Sequence, residues 1–285
     1  MEKKLNVNWY PGHMVKSRRE IAEKLKLIDI VIEVLDARAP MATQNHDFDS
    51  LFGSKKRMYI LNKSDMADET VTKAWADYFN KNGVHATAFS AVSGNTSALL
   101  KSIQLCAQDI YDRYAKKGVK KTVRAIICGI PNVGKSAILN KLSGTKKLKV
   151  GNMPGVTRGL SWVRLNPYLE LMDSPGMLPP KIDNERSGAI IAAIGSIRRD
   201  ILDEDALAVY LISMLTKLCP ELLSKRYGIP AHDSDPVKIL EQICKARGFV
   251  IMGGEPDYDR AVQTLFEDFK NARLGRISLE RPPEA

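Results

Sequence analysis

The segment Gly129-Ile130-Pro131-Asn132-Val133-Gly134-Lys135-Ser136 decides the fold of this 285-residue chain. It fits the pattern of a glycine, any four residues and then Gly-Lys-Ser, which is typical of a phosphate-binding loop. The preceding residues 123–128 are apolar and rich in β-branched side chains, as a buried strand requires, and residues 137–142 read as a helix. Because the main-chain N–H groups of such a loop point inward at a helix N-terminus, the segment predicts a phosphate site.

Individual residues of this loop have distinct expected roles. Lys135 is predicted to reach the β- and γ-phosphates, and the Ser136 hydroxyl is predicted to ligate Mg²⁺. The remaining phosphate contacts are expected from main-chain groups of the loop and of one later glycine, namely Asn132, Val133, Gly134, Ala137 and Gly176.

A second motif, Asp173-Ser174-Pro175-Gly176, follows the strand-like residues 169–172. Asp-x-x-Gly in this position holds Mg²⁺, here through a water on Asp173, and senses the γ-phosphate. Thr157 lies between the two motifs, and its hydroxyl is predicted to ligate Mg²⁺ when the γ-phosphate is present. The sequence therefore predicts a site for a nucleoside triphosphate with Mg²⁺.

Two further motifs select the base. Asn62-Lys63-Ser64-Asp65 follows the apolar residues 58–61, and the Asp65 carboxylate can accept from N1 and the exocyclic N2 of guanine, which adenine cannot match. Ala88-Phe89-Ser90-Ala91 is the usual second loop beside the base and offers a main-chain N–H to guanine O6. The predicted guanine-binding residues are Asn62, Lys63, Asp65, Ser90 and Ala91.

The order of these motifs defines the fold class. The base-selecting motif comes about seventy residues before the phosphate loop, whereas in an ordinary GTPase it comes after it. Strands that alternate with helices predict a parallel, doubly wound α/β sheet with its ligand at the strand carboxyl ends. We therefore predict a circularly permuted G domain over residues 1–178.

An all-helical domain is predicted over residues 179–285, with helices near 185–197, 204–218, 236–247 and 258–273. The apolar segment 249–254 is expected to pack into the core of this domain. In the G domain, one long helix is expected from Thr96 to Tyr114.

Charge divides unevenly between the two predicted domains. Residues 1–178 hold 28 Lys and Arg against 16 Asp and Glu, whereas residues 179–285 hold 15 against 17. The basic side chains could line solvated helix faces, but three clusters in one domain favour a polyanionic partner, RNA above all. An anionic membrane fits less well, because no amphipathic anchor accompanies them.

Cysteine usage and hydropathy point to the cytoplasm. The four cysteines have no paired spacing, so neither zinc nor disulfides are expected. No apolar signal core or membrane-spanning run is visible, and we expect a monomer without a membrane span.

The chain also resembles a known family. The segments Trp9-Tyr10-Pro11-Gly12-His13-Met14, Leu35-Asp36-Ala37-Arg38-Ala39-Pro40 and Leu274-Gly275-Arg276-Ile277, with the permuted order, resemble the bacterial ribosome biogenesis GTPase A family over nearly the whole chain. The resemblance implies a GTPase that binds large ribosomal subunit precursors, contacts rRNA and ribosomal proteins, and acts late in their maturation. Because the C-terminal half is net acidic, RNA contacts there are expected from Arg198-Arg199, Lys245 and Arg247.

Catalysis requires a group that the motifs do not supply. Many GTPases carry a water-orienting Gln after Asp-x-x-Gly, and Met177 stands there in this chain. His13 is the candidate catalytic residue, a role that the resemblance also implies, and we expect the particle to stimulate hydrolysis. The resemblance further implies K⁺ as a second cofactor, with Asn132 as its ligand.

Two other function classes remain open at this point. One is a nucleotide-regulated scaffold whose hydrolysis is incidental. The other is a signalling GTPase with no ribosomal RNA partner, which loss of binding to ribosomal particles would support.

Overall fold

The computed structural model describes residues 12–144, 160–182, 184–197, 203–230 and 235–283. The chain divides into two compact units. The larger unit contains the described residues up to Ile182 together with those from Glu280 onward, and the smaller unit contains the residues between them, through Leu279. The helical domain predicted over residues 179–285 therefore differs from the smaller unit at its C-terminal end, where the residues from Glu280 onward belong to the larger unit.

A six-stranded sheet forms the centre of the larger unit, with the spatial order β3-β2-β1-β4-β6-β5. All neighbouring strands run parallel except β5, which pairs antiparallel with β6. The strands are β1 Ile30–Asp36, β2 Lys56–Asn62, β3 His85–Ala88, β4 Val123–Cys128, β5 Ser161–Asn166 and β6 Leu169–Asp173.

The strand that leads into the phosphate loop lies in the middle of this sheet, although it is fourth along the chain. Strand β4 pairs with β1 on one side and with β6 on the other, for example Ile30 with Ala125 and Ile127 with Asp173. Since parallel strands end at one edge of a sheet, the loops after β1, β2, β3, β4 and β6 meet there. The α/β prediction is confirmed, with the correction that the edge strand β5 is antiparallel.

Seven α-helices cover the described part of the larger unit: α1 Gly12–Lys24, α2 Pro40–Thr43, α3 Asp47–Phe52, α4 Glu69–Lys81, α5 Thr96–Cys106, α6 Gln108–Ala115 and α7 Lys135–Ser143. The Asp68 side chain caps α4 by accepting from the Val71 N–H, and Asn95 caps α5 in the same way. The prediction of a single long helix from Thr96 to Tyr114 is wrong. The helix is interrupted at Ala107, which separates α5 from α6.

Every residue of β1 is buried, so both faces of the sheet are covered, and two apolar clusters lie side by side on one of these faces. One cluster combines aromatic and aliphatic residues that include Trp75, Phe79 and Leu61. The other includes Ile21 of α1, Phe48 of α3 and Met177. Burial of these side chains, at roughly 1.5–3 kcal/mol each, holds the sheet and its helices together and fixes the loops at the strand ends.

Glu280 belongs with the larger unit because both its carboxylate and its main chain bond there. The carboxylate accepts from the Met41 N–H at 2.8 Å and from the Ala42 N–H at 3.1 Å, at the start of α2. The Trp75 indole donates to the Glu280 carbonyl at 3.2 Å. A carboxylate is favourable at this position because the first N–H groups of a helix have no partner within the helix.

The described part of the smaller unit contains α8 Glu185–Ala193, α9 Glu204–Leu218, α10 Pro220–Tyr227, α11 Pro236–Arg247 and α12 Tyr258–Lys270. Its core includes Leu211, Ile243 and Phe266. The buried Asp268 carboxylate accepts from Arg226 Nε at 2.7 Å and from the Tyr227 hydroxyl at 3.1 Å, which ties α12 to α10.

The segment after α11 differs from its prediction. Val250, Ile251 and Met252 are 61%, 50% and 101% exposed, so they do not pack into the helical core. The cause is local, because the glycines at 253 and 254 both have positive φ and turn the chain back on itself.

In the described part of the chain, no single helix is long and apolar enough to cross a membrane. The pair α9 and α10 meets the length and composition criteria only when taken together, and it bends by 110°.

Candidate nucleotide-binding site

The loop after β4 has the backbone conformation that its glycines predict. Gly129 and Gly134 have φ of +141° and +98°, and Asn132 has φ of +61°, a left-handed value that Asn tolerates better than most residues. Gly134 ends the loop, and α7 begins at Lys135. The loop therefore leads directly to a helix N-terminus, where main-chain N–H groups can bind an anion.

Lys135 is folded back onto this loop. Its Nζ donates to the Gly129 carbonyl at 3.1 Å and to the Ile130 carbonyl at 2.8 Å. Burial lowers the pKa of Lys135, and the nearby Asp173 carboxylate acts against that shift. A phosphate placed at the helix N-terminus would supply a stronger counter-charge for this ammonium.

Asp173 and Ser136 form the part of the site that fits a divalent cation. Asp173 ends β6, and its Oδ2 lies 3.3 Å from the Ser136 hydroxyl. Its Oδ1 is buried and has no hydrogen-bond partner among the residues that the structure describes. Burial raises the pKa of Asp173, with Lys135 opposing. An unsatisfied carboxylate oxygen beside a hydroxyl is the oxygen set that Mg²⁺ prefers. Thr157 lies outside the described residues.

Gly176 brings the phosphate-sensing segment against the phosphate loop. A Cβ atom at this position would lie 2.7 Å from Pro131 Cα and 2.8 Å from Pro131 N. No side chain fits there without moving the loop. Two residues earlier, the Ser174 hydroxyl donates to the Ile127 carbonyl at 2.8 Å and anchors the segment to β4.

Asn62 joins three of the loops at this edge of the sheet. Its Nδ2 donates to the Val133 carbonyl at 2.7 Å, and its Oδ1 accepts from the Ala91 N–H at 3.1 Å. The loop containing Ala91 was predicted to offer a main-chain N–H to guanine O6, and the Ala91 N–H is bonded to Asn62 here. The neighbouring Ser90 is buried, and its hydroxyl accepts from the Ser93 N–H at 3.0 Å.

The Lys63 side chain has a partner that the sequence analysis did not single out. Lys63 has φ of +60°, and its Nζ lies 2.8 Å from Asp36 Oδ2. Asp36 is buried at the end of β1 and also pairs with Arg38 Nε at 2.9 Å and Nη2 at 2.8 Å. Burial acts to raise the pKa of Asp36, but these two cations hold it well below its usual range. A charged residue at the end of an otherwise apolar strand is the sequence signal that could have identified Asp36.

Met177 occupies the position of the water-orienting glutamine. Its side chain is 1% exposed and packs in the core with Ile21 and Phe48. Its N–H donates to the Gly129 carbonyl at 3.2 Å, and its carbonyl accepts from Asn45 Nδ2 at 2.8 Å. Met177 thus has neither the chemistry nor the exposure to orient a water molecule.

His13 is the second residue of α1, and its side chain lies outside the described part of the structure. The helix begins at Gly12, so His13 lies in its first turn.

The basic side chains predicted to contact RNA in the smaller unit differ in their interactions. Lys245 pairs with Glu241 at 2.8 Å and stays largely exposed. The Arg247 guanidinium lies 5.4 Å from the centre of the Tyr227 ring. Arg198 and Arg199 lie outside the described residues.

The geometry of this site defines the class of protein to which the chain belongs. A central strand, a phosphate loop, an aspartate beside its serine and a base-selecting loop at one sheet edge are the parts of a GTP-binding P-loop domain, here with its strands in permuted chain order. A family model described as 50S ribosome-binding GTPase matches residues 124–243, starting in the strand that precedes the loop.

Relatives extend this similarity over the whole chain. Ribosome biogenesis GTPase A of Bacillus licheniformis is 40% identical over 280 residues, which is 98% of this chain and 99% of that protein. The protein of the same name in Thermotoga maritima is 33% identical over 98% of this chain and 95% of its own length. The chain belongs to the ribosome biogenesis GTPase A family, and it is a GTPase that binds GTP and GDP.

Solved structures give the same result. The structure described as GDP-bound YlqF matches this chain with a TM-score of 0.70 and 29% sequence identity. The match covers 93% of this chain and 100% of the YlqF chain. The GNP-bound YlqF of T. maritima has a TM-score of 0.68 with 29% identity, over 95% and 100% of the two chains.

Proposed function

We propose that this GTPase is an assembly factor that binds large ribosomal subunit precursors and acts late in their maturation, in the cytoplasm. Two features support the proposal. Relatives over nearly the full length carry the name ribosome biogenesis GTPase A. The net positive charge of the chain lies entirely in residues 1–178, which suits an RNA partner.

The proposed nucleotide contacts follow from the geometry of the loops. The main chain of residues 132–137 and Gly176 bind the phosphates, and Lys135 neutralises them. Asp65 selects guanine, while Asn62 holds the base-side loops to Val133. Mg²⁺ would be held by Ser136, by Asp173 through water and, when the γ-phosphate is present, by Thr157. It would supply positive charge that neutralises the phosphates.

The burial of Met177 is the observation that carries the proposed mechanism. Since no side chain at that position can orient the attacking water, hydrolysis by the free protein is slow. His13 is the catalytic group, and contacts with the particle fix its position beside the γ-phosphate. A K⁺ ion on Asn132 in the phosphate loop would add positive charge near the same phosphate.

Sedimentation tests the proposed partner directly. The protein is mixed with large-subunit precursors in the presence of GDP or of a non-hydrolysable GTP analogue, and the particle fraction is collected. We expect co-sedimentation with the analogue and much less with GDP. Equal amounts with both nucleotides would contradict control of particle binding by the nucleotide, and none with either would favour a signalling GTPase without a ribosomal partner.

A further inference from the structure

One buried side chain connects the turn between α2 and α3 to the residue after Asp-x-x-Gly. Asn45 is 1% exposed. Its Nδ2 donates to the Met177 carbonyl at 2.8 Å, and its Oδ1 accepts from the Asp47 N–H at 3.0 Å. Both polar ends of this amide are therefore used, and one of them reaches a residue 132 positions away in the chain.

The sheet holds Asn45 in place. Its main-chain N–H donates to Glu33 Oε1 at 2.8 Å, and Glu33 lies on β1 in the centre of the sheet. Burial raises the pKa of Glu33 to about 8, while the bond from Asn45 acts to lower it. Because a buried hydrogen bond of this kind is costly to break, the bond to Glu33 fixes the main-chain position of Asn45 and therefore the base of its side chain.

The segment that Asn45 contacts is itself part of the phosphate site. The Met177 N–H bonds the Gly129 carbonyl of the phosphate loop, and the preceding Gly176 packs against Pro131. The main chain of Met177 is thus held on two sides, by the loop through its N–H and by Asn45 through its carbonyl. Among the described residues, the bond to Gly129 is the other hydrogen bond to the main chain of Met177.

We propose that Asn45 is a positioning residue for GTP: by fixing the Met177 carbonyl, it holds the Gly176 N–H where it can meet the γ-phosphate. The inference rests on the proposed phosphate contact of Gly176. GDP has no γ-phosphate, so its binding does not depend on this arrangement. Asn45 therefore contributes to the difference between the GTP and GDP forms without touching the nucleotide.

The test compares the affinities for two nucleotides in the Asn45→Ala variant. We expect the affinity for a non-hydrolysable GTP analogue to fall about tenfold, as for the loss of one buried hydrogen bond, with GDP changed less than about twofold. Single-turnover hydrolysis of GTP should slow along with the loss of analogue binding.

Two further variants separate positioning from general damage. Asn45→Asp keeps the oxygen that faces the Asp47 N–H but, when ionised at about pH 8.5, presents an acceptor and no donor to the Met177 carbonyl, so its analogue affinity should fall at least as much as that of Asn45→Ala. Asn80 also bonds main-chain groups, with its Nδ2 2.7 Å from the Ala76 carbonyl and its Oδ1 3.1 Å from the Ala86 N–H. Asn80→Ala should leave the ratio of the two affinities unchanged.

Hydrogen exchange in residues 174–180 distinguishes failure of this inference from failure of the proposed phosphate contact. If the wild-type segment exchanges equally with GDP and with the analogue, Gly176 does not sense the γ-phosphate. If the analogue protects the wild type and protects both Asn45 variants equally well, Asn45 has no positioning role. Equal losses of GDP and analogue affinity would also overturn the inference. Should Asn45→Ala not accumulate in folded form, Asn45→Asp gives the same comparison.

Discussion

Asn62 and Asp65 lie three residues apart in one motif and have separate tasks. Both polar groups of Asn62 bond protein main chain, at Val133 and Ala91, so this side chain stabilises the loops. The half-buried Asp65 carboxylate has no hydrogen-bond or ion-pair partner among the described residues. We therefore expect discrimination of the base to depend on Asp65, which is partly exposed.

Replacing Asp65 by Asn should shift the preference from guanine toward xanthine nucleotides. The charge-assisted pair with guanine N1 and N2 is lost, at a cost of about 2–5 kcal/mol, so GTP affinity should fall by tens-fold or more. Competition binding with GTP and XTP measures the shift. Asp68→Asn is the matched control, because the Asp68 side chain caps α4 and Asn also caps helices. GTP binding by Asp65→Asn at the wild-type level would contradict the guanine assignment.

The raised pKa of the buried Glu33 carboxyl predicts that the stability of the fold depends on pH. Burial raises its pKa to about 8 in the fold, from 4.5 in the ordinary state, so between these values the folded chain binds more protons than the unfolded chain. The free energy of unfolding contributed by this group is complete below about pH 4.5 and is lost as pH rises toward 8. Glu33→Gln should remove that slope.

Chemical denaturation at pH 6 and pH 8, followed by tryptophan fluorescence, measures this effect. Residues 179–285 contain no tryptophan, so the signal reports on the larger unit. Glu69→Gln, at an exposed position of α4, is the control and should keep the wild-type slope. An unchanged slope in Glu33→Gln would mean that another group causes the dependence.

At the scale of the loops and helices, the conformation of the phosphate loop depends on the base-selecting loop, because the two are in direct contact at Gly134 and Asn62. A Cβ atom at Gly134 would lie 2.2 Å from Asn62 Nδ2, and φ at this residue is +98°. An added methyl group must therefore displace the Asn62 side chain or the loop. The proposed site for GTP and GDP includes both of these loops.

Gly134→Ala should weaken GTP and GDP together, by at least about tenfold, because the bond from Asn62 to Val133 and the loop geometry are both disturbed. Gly144→Ala, at the other end of α7, is the matched control. Its φ is also positive, at +64°, but no atom of the described residues lies within 4 Å of the new methyl group. Fluorescent-nucleotide titration compares the two variants. Normal binding by Gly134→Ala would show that the loops separate freely.

Sequence patterns were sufficient where the signal is local. Helices α9 and α11 begin and end where predicted, because Asp203 and Asp235 cap their first turns and Gly248 ends α11 with φ of +65°. The motifs likewise follow the strands that were expected to carry them.

Long-range or weakly patterned features were missed. Strand β5 lies at the sheet edge with Trp162 and Arg164 partly exposed, so its sequence lacks the apolar run of the inner strands. The bond from Asn45 to Met177 joins two distant segments, and nothing near Asn45 in the sequence marks it as more than a loop residue. Such contacts become visible only once the sheet brings the segments together.

For the molecule as a whole, charge and chemistry lie in the same unit. Residues 1–178 carry both the nucleotide motifs and the basic excess, whereas residues 179–285 are slightly acidic. An RNA that binds the basic unit would lie on the same unit as the γ-phosphate site, which gives a physical route for stimulation of hydrolysis by the particle.

The most direct measurement is single-turnover GTP hydrolysis by the wild type and His13→Ala, with and without large-subunit precursors. We expect slow hydrolysis by both free proteins, a rise for the wild type on particles, and a rate about 100- to 10,000-fold lower for His13→Ala there, with GTP affinity unchanged. His85→Ala, whose ring bonds the Ser102 hydroxyl at 2.9 Å, serves as the control and should respond like the wild type. Normal hydrolysis by His13→Ala on particles would contradict the account.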